Sequence, residues 1–311
     1  MKVIGFDLGG TKLAGGVVDQ RGRMTDFAVE YAEIKAGWPG VLDQLSRFVK
    51  NYREMHKDIK AVGIASAGPL DSDKGVLLDP TNYKVGNKTW GKIEIVKDLK
   101  KKIRMPVYLE NDAAAAVLAE GWTGSRKKSK NILVLTLGTG LGVGVIANGE
   151  LLRGGRGLHP EAGHILLDPS DRLLRCGCGV YGCAEAFLAG KKFEERASLI
   201  LKEPGLRSPI LRDRAKSGDA KVKALFVDYG KRMAQALLSY IVLYYPEEVV
   251  LTGGFAEGAS LFLPTVETEL KILLERRLKT LPLMPTITAS KFQNQAGVIG
   301  AAYVAMHGLK K

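Results

Sequence analysis

All three cysteines of this 311-residue chain fall within the single stretch Cys176-Gly-Cys178-Gly-Val-Tyr-Gly-Cys183, and Glu161-Ala-Gly-His164 stands just upstream. Three thiols and one imidazole are the four ligands of a closed tetrahedral Cys3His zinc site. Gly177, Gly179 and Gly182 let the loop turn tightly enough to aim several thiolates at one point. Cysteines serving only as small buried apolar groups would need no such clustering. Of the chain's histidines, His56, His159, His164 and His307, two lie close upstream of the cysteines. His164 is preferred to His159, because Gly163 frees the backbone to present the ring. Four protein ligands leave no open coordination position, so the zinc should shape a loop and the chemistry should lie elsewhere.

That chemistry is sought in three glycine loops. In Asp7-Leu-Gly9-Gly10-Thr11-Lys12, bare amides and the Lys12 ammonium can hold phosphate oxygens, while Asp7 can hold a magnesium ion or its waters. Thr136-Leu-Gly138-Thr139-Gly140-Leu-Gly142 offers the same amide lining with the Thr139 hydroxyl, and Thr252-Gly253-Gly254 follows a further apolar strand. One glycine turn by itself is more often an ordinary hairpin. Three at corresponding strand ends point to a nucleotide. The spacing is neither that of a P-loop nor that of a Gly-x-Gly-x-x-Gly dinucleotide loop, since the first two loops each join strand to strand.

The elements that carry these loops occur twice. Val3–Leu8, a glycine turn and Leu13–Asp19, turning at Gln20-Arg-Gly22 into a third strand, are echoed by Ile132–Leu137, a glycine turn and Val143–Ala147, reversing at Asn148-Gly149. Asn-Gly is a strong tight-hairpin signal because both positions require positive φ. In the first half, apolar periodicity predicts a helix through Val41, Leu45, Phe48 and Tyr52, a strand Ala61–Ala65, a helix Ile93–Ile103, a strand Val107–Leu109 and a helix Ala113–Glu120. In the second it predicts a helix through Phe187, a long helix Ala220–Tyr244, a strand Val249–Leu251, a helix Leu261–Leu278, a strand Ile287–Ala289 and a final helix from Ala296. Duplication of one α/β unit predicts two similar lobes, each with a central sheet, facing each other across a cleft.

The chain is 46% hydrophobic with a formal net charge of +13, enough apolar material for a large core in two domains. No run reaches the roughly 20 apolar residues of a membrane span. Met1-Lys-Val-Ile-Gly-Phe-Asp7 begins a strand, with no signal-peptide core. A cytoplasmic protein with reduced, metal-binding thiols is expected. The basic run Lys97 to Arg104 reads as the exposed face of an amphipathic helix whose other face carries Ile95, Val96, Leu99 and Ile103; the run Arg126 to Lys130 reads as a polar connector. Such a surface attracts anionic metabolites and is not read as a nucleic-acid or membrane partner site.

Glycine hairpins gripping phosphates resemble the ATPase core shared by actin, heat-shock ATPases and sugar kinases. Within it, Asp7-Leu-Gly-Gly-Thr-Lys12, Glu110-Asn-Asp112, Gly138-Thr-Gly140, Glu161-Ala-Gly-His164 and Cys176-Gly-Cys178-Gly-Val-Tyr-Gly-Cys183-Ala-Glu185 resemble, in order and over nearly the whole chain, the ROK family of sugar kinases and repressors. The resemblance implies a duplicated actin-like (ribonuclease H-like) α/β fold. Its N-terminal lobe would comprise residues 1–117 with 296–311, and its C-terminal lobe residues 118–295 with a zinc loop at 161–185. It implies ATP-dependent transfer to a hexose hydroxyl, with the C6 hydroxyl of glucose as leading acceptor. Mannose, fructose, N-acetylglucosamine and N-acetylmannosamine stand behind glucose as alternatives.

By the same resemblance Asp112 is the general base, although a carboxylate between a strand and a helix can also serve simply as a cap. Gly68, Asn82, Asn111, Glu161, His164 and Glu185 join Asp112 in holding the sugar. Asp7, Gly9, Gly10, Thr11, Lys12, Gly138, Thr139, Gly140, Gly253 and Gly254 hold Mg-ATP. His164, Cys176, Cys178 and Cys183 hold a structural zinc, with the second nitrogen of His164 left for a sugar hydroxyl. Lobe closure would exclude water as a competing acceptor, and the family suggests a homodimer. A sugar-responsive repressor of the same family is the alternative of another class; such proteins carry a helix-turn-helix segment ahead of the first glycine loop, which here begins at residue seven. Where many relatives continue the cysteine motif into Ser-Gly, this chain has Phe187-Leu-Ala189-Gly190, a change that leaves the proposed ligands intact.

Overall fold

The computed structural model describes residues 1–124 and 128–310. The basic stretch Arg126 to Lys130 therefore lies partly outside the described residues. In chain order the elements are β1 (Lys2–Leu8), β2 (Lys12–Asp19), β3 (Met24–Tyr31), α1 (Gly37–Met55), β4 (Ile59–Ser66), β5 (Leu70–Asp71), β6 (Val76–Leu78), β7 (Lys84–Val85), β8 (Lys88–Thr89), β9 (Lys92–Ile93), α2 (Ile95–Ile103), β10 (Val107–Asn111) and α3 (Asp112–Trp122). They continue as β11 (Ile132–Leu137), β12 (Leu141–Ala147), β13 (Glu150–Leu151), α4 (Ala184–Leu188), α5 (Gly190–Leu201), α6 (Ser208–Lys216), α7 (Ala220–Tyr244), β14 (Glu248–Thr252), α8 (Leu263–Leu278), β15 (Thr286–Ala289) and α9 (Ala296–Gly308). No helix among the described residues is long and apolar enough to cross a membrane.

Two five-stranded sheets carry the duplication. Their orders, β10-β4-β1-β2-β3 and β15-β14-β11-β12-β13, are the same arrangement read from the first and second halves of the chain. In each, the glycine loop joins an antiparallel pair, β1-β2 or β11-β12, and parallel strands extend the sheet on the other side. The Asn148-Gly149 reversal predicted from sequence is present, with φ of 55° and 86°. By internal contacts the chain divides into a first unit, Met1–Lys128, Leu151–Pro160 and Gln295–Lys311, and a second, Ser129–Glu150 and Glu161–Asn294.

Strand alternation explains how the first sheet is covered. Ile4, Phe6 and Leu8 of β1 point into one core with Val41, Leu45 and Phe48 of α1. Val3 on the opposite face joins Ala302 and Ala305 of α9. Gly5 shares that face, and α9 lies so close that a Cβ on Gly5 would stand 2.0 Å from the Val298 carbonyl oxygen. The same holds at Gly63 of β4 against Ala301 and at Gly300 against Ala115 of α3, at 1.9 and 1.8 Å. The small side chains of α3 and α9 thus reflect backbone-to-backbone packing, which any larger group would force apart.

The second unit is built around a cluster of rings. Phe193, Phe226, Tyr229, Phe255 and Phe262 stack and cross at 4.8–6.2 Å between centroids. The Tyr229 hydroxyl finds its partner in the Leu188 carbonyl at 2.9 Å.

Several element boundaries differ from expectation. Ile93 is in a short strand, paired with Leu77, so the helix predicted from that residue begins at Ile95. Leu261 ends a 3-10 stretch, Gly254–Leu261, and the α-helix starts at Leu263 with Pro264 in its first turn, where a missing N–H costs nothing. The small sheets β5-β6-β9 and β7-β8 escaped periodicity altogether, being two or three residues per strand.

Candidate active site and metal centre

In the first unit, parallel register brings three strand ends together. Leu8 of β1 pairs with Ser66 of β4, and Ser66 pairs with Asn111 of β10. The first glycine loop closes over Gly9, whose N–H donates to the Lys12 carbonyl at 2.9 Å. Gly10, Thr11 and Lys12 are exposed. Gly10 lies against Asn82, where a Cβ would meet the Asn82 carbonyl oxygen at 3.1 Å. Beyond β4 the chain turns through Gly68-Pro69, a cis peptide.

Asp7 points to the α9 side of the sheet. A Cβ on Gly297, in the first turn of α9, would stand 2.4 Å from the Asp7 carboxylate. Burial and the nearby Asp112 carboxylate together push the Asp7 pKa up to about 7. A buried carboxylate whose proton affinity is raised by a second carboxylate nearby is a suitable setting for a divalent cation.

Asp112 is the first residue of α3 and does not cap it. The Asn111 side chain takes that duty, its Oδ1 accepting from the N–H groups of Ala113 and Ala114 at 2.9 and 3.1 Å. The Asp112 Oδ1 accepts from Ala113 N–H at 2.8 Å. Glu110, only 2% exposed, accepts from the Asn111 N–H at 2.8 Å, from Ser72 Oγ at 3.1 Å and from Arg153 Nη1 at 2.9 Å, with Arg153 Nη2 on its other oxygen. Tyr83, fully buried, donates its hydroxyl to the Leu8 carbonyl and therefore accepts from Ser66 Oγ at 2.8 Å, since a phenol has one proton to give. Burial raises its pKa, so it remains a donor.

In the second unit, one ligand atom from each of His164, Cys176, Cys178 and Cys183 lies within 4.8 Å of every other. A tetrahedral zinc at about 2.3 Å from sulfur and about 2.1 Å from nitrogen sets its ligands roughly 3.6–3.8 Å apart. Here Cys176 Sγ is 3.4 Å from His164 Nδ1, and Cys178 Sγ is 3.7 Å from Cys183 Sγ. The donor set and its spacing fit zinc. Burial raises the Cys176 thiol and pushes Cys183 up to about 11, with Cys178 beside it adding to the rise. A metal ion binds such sulfurs as thiolates, and their protons leave to solvent as it binds.

Two glycines shape this loop, by different means. Gly182 has φ of +77° and passes within a Cβ's reach of the Asp168 carbonyl, at 2.1 Å. Gly163 has no unusual φ. It is required because β12 lies against it, a Cβ there meeting the Leu141 carbonyl at 2.1 Å; close approach, and not backbone freedom, explains the glycine before His164. The preceding carbonyl, Ala162, accepts from the buried Tyr240 hydroxyl at 2.7 Å.

The Nε2 of His164 faces Glu161, 3.9 Å from its carboxylate. Desolvation raises the Glu161 pKa; the His164 charge opposes the rise and Glu185 adds to it, and with 56% of its side chain open to solvent Glu161 keeps access to a ligand. Glu185 joins the metal loop to the second glycine loop. One oxygen lies 3.1 Å from Cys176 Sγ, and the other accepts from Leu141 N–H at 3.1 Å. Gly138 and Thr139 are exposed, nothing stands where a Gly138 Cβ would lie, and at Gly140 a Cβ would press on Glu185. The neighbouring strand end, β14, carries Gly253 with φ of +90° against the Leu137 carbonyl, so its conformation and its space both require glycine.

The profile of the ROK family matches residues 3–307. The chain belongs to the ROK family. It is similar to a glucokinase from Thermotoga maritima, 30% identical over 98% of this chain and 97% of that protein. An N-acetyl-D-glucosamine kinase from Escherichia coli is 29% identical over 96% of this chain and 98% of its own length. The crystal structure of a ROK family glucokinase from Streptomyces griseus, in complex with glucose and AMPPNP, superposes with a TM-score of 0.83 at 28% identity, covering 99% of this chain and 100% of that one.

Within this ROK chain, the first unit gathers Asp7, the first glycine loop, Asn82, Asn111 and Asp112. The second gathers Glu161, His164, the cysteines, Glu185 and the other two glycine loops. Sequence reasoning missed Ser66, Ser72, Tyr83 and Arg153, and assigned Glu110 no task. A carboxylate at the end of an apolar strand, where burial continues, signals a cation partner in the fold, but nothing local singles out Arg153 among many basic residues.

Proposed function

We propose that the protein is an ATP-dependent hexose kinase that transfers the γ-phosphate to the C6 hydroxyl of glucose, with Asp112 as general base. The observation that carries this reading is the pairing of Asp112, at the head of α3, with Asp7 beside the exposed glycine loop. A base for a hydroxyl and an anchor for a phosphate-bound cation thereby sit within one electrostatic neighbourhood.

In this reading the amides of Gly9 and Gly10, the Thr11 hydroxyl and Lys12 hold phosphate oxygens, and Gly138, Thr139, Gly140, Gly253 and Gly254 line the rest of the nucleotide. Asp7 would hold magnesium, which supplies charge neutralisation on the phosphates when bound. Asn111 presents its amide nitrogen to a sugar hydroxyl while its oxygen caps α3. Glu161, the Nε2 of His164 and Glu185 bond other hydroxyls, with Gly68 and Asn82 lining the sugar. Several donors and acceptors are needed, because each hydroxyl left unpaired in a dry site weakens binding. Asp112 accepts the C6 hydroxyl proton and aims the oxygen at phosphorus; once on Asp112, the proton passes to solvent as the site reopens. Zinc in the Cys3His set would only hold the loop that presents Glu161 and His164.

A 2-acetamido hexose is the second reading, favoured by the similarity to the Escherichia coli kinase. Coupled ADP-release rates over glucose, mannose, fructose, N-acetylglucosamine and N-acetylmannosamine separate the two. The highest kcat/KM on glucose is expected. A preference for an acetamido sugar selects the second reading, and no sugar-dependent ADP release at all refutes both.

A further inference from the structure

Glu110 is a carboxylate buried in the last turn-out of β10, immediately before the residues assigned to sugar binding and catalysis. Its side chain is 3% exposed against 32% for Arg153, so the guanidinium spans from solvent to core and meets the carboxylate with both of its terminal nitrogens. A buried carboxylate is tolerated when a bidentate guanidinium and further donors satisfy it, and Ser72 Oγ supplies another donor. The fourth donor is the informative one. Asn111 N–H, the last amide of the strand, bonds to the Glu110 side chain, while the Asn111 side chain caps α3. Side-chain contacts therefore hold Asn111 at both its amide and its side chain where β10 gives way to α3, and Asp112 is the next residue.

We propose that Arg153 and Glu110 are positioning residues for phosphoryl transfer: Arg153 holds the Glu110 carboxylate, Glu110 holds the Asn111 amide, and together they set the direction in which Asp112 faces the acceptor hydroxyl. This rests on Asp112 being the base. Arg153 lies in Leu151–Pro160, a segment that belongs to the first unit though it lies between parts of the second in sequence. The contact thus ties a distant stretch of chain to the catalytic turn. Lysine would keep the charge and lose the fork.

The test is a double-mutant cycle with Arg153→Ala and Asp112→Asn, read in single-turnover phosphoryl transfer, with thermal unfolding of each variant alongside. Arg153→Ala is expected to lower kcat about 100-fold, the order of loss that a small misplacement of a reacting group produces, with the KM for ATP little changed. Arg153→Lys should fall in between, and millimolar guanidinium should restore part of the Arg153→Ala rate. In the Asp112→Asn background, Arg153→Ala should cost nothing further, because the group it aims is already gone. Wild-type kcat in Arg153→Ala, or the same fold-loss with and without Asp112, overturns the inference. If Asp112→Asn itself turns over normally, the base assignment fails and this inference with it. Should Arg153→Ala not fold, the Arg153→Lys arm of the same cycle decides.

Discussion

Asp112 and Asn111 show how adjacent side chains divide two tasks that look interchangeable in sequence. Both residue types cap helices well. Here Asn111 does so, accepting from two helix amides, while the Asp112 carboxylate, one residue on, accepts from the Ala113 amide. A substitution at Asp112 should therefore spare the helix and strike the chemistry. Asp112→Asn is expected to lower kcat by two to four orders of magnitude, about what a positioned general base contributes. Sugar binding, followed as sugar-dependent protection against thermal unfolding, should survive. A variant that keeps near-normal turnover would remove Asp112 from the mechanism. Glu185 carries the opposite lesson. Read as a sugar ligand, it also contacts Cys176 and the Leu141 amide, so its replacement will mix binding with loop structure and is a poor probe of either.

The metal loop and the strands around it work as one assembly. Leu166 and Cys183, and Arg175 and Tyr181, form isolated bridges, and Ala184 N–H returns to the Ile165 carbonyl at 2.8 Å. A structural metal contributes directly to folding free energy. Cys178→Ser, or prolonged chelation, should lower the unfolding midpoint and raise the KM for sugar together, because Glu161 and His164 stand on the same loop. An active, metal-free preparation with unchanged KM would show that the loop holds its shape without the ion. The long helices α7 and α9 were legible to within a residue or two because their apolar spacing runs for several turns. The strands of β5 to β9 were not, since two residues cannot establish a period.

For the chain taken entire, the linkage of protons to cation binding gives a further check. Asp7, with a pKa pushed up to about 7 by burial and by Asp112, is largely protonated at pH 6 and largely ionised at pH 8. Magnesium binds the ionised form, so protons compete with it below that pKa. Stabilisation of the nucleotide-free protein by magnesium should therefore grow as pH rises from 6 to 8, and Asp7→Asn should abolish the pH dependence. A magnesium effect that is flat over this range would show that Asp7 is not the anchor. The duplicated α/β order, the glycine loops and the cysteine cluster are legible in the bare residue order, because strand and helix periods, hairpin pairs and ligand spacings are local patterns that need no partner from afar. It took the folded arrangement to reveal that Arg153 satisfies Glu110, that Tyr83 and Ser66 join the ends of β1 and β4, that Gly163 serves close packing, and that Asn111 and not Asp112 is the cap. Each of these depends on which groups meet in space, and burial makes that choice: a polar atom withdrawn from water must find a partner wherever the fold supplies one.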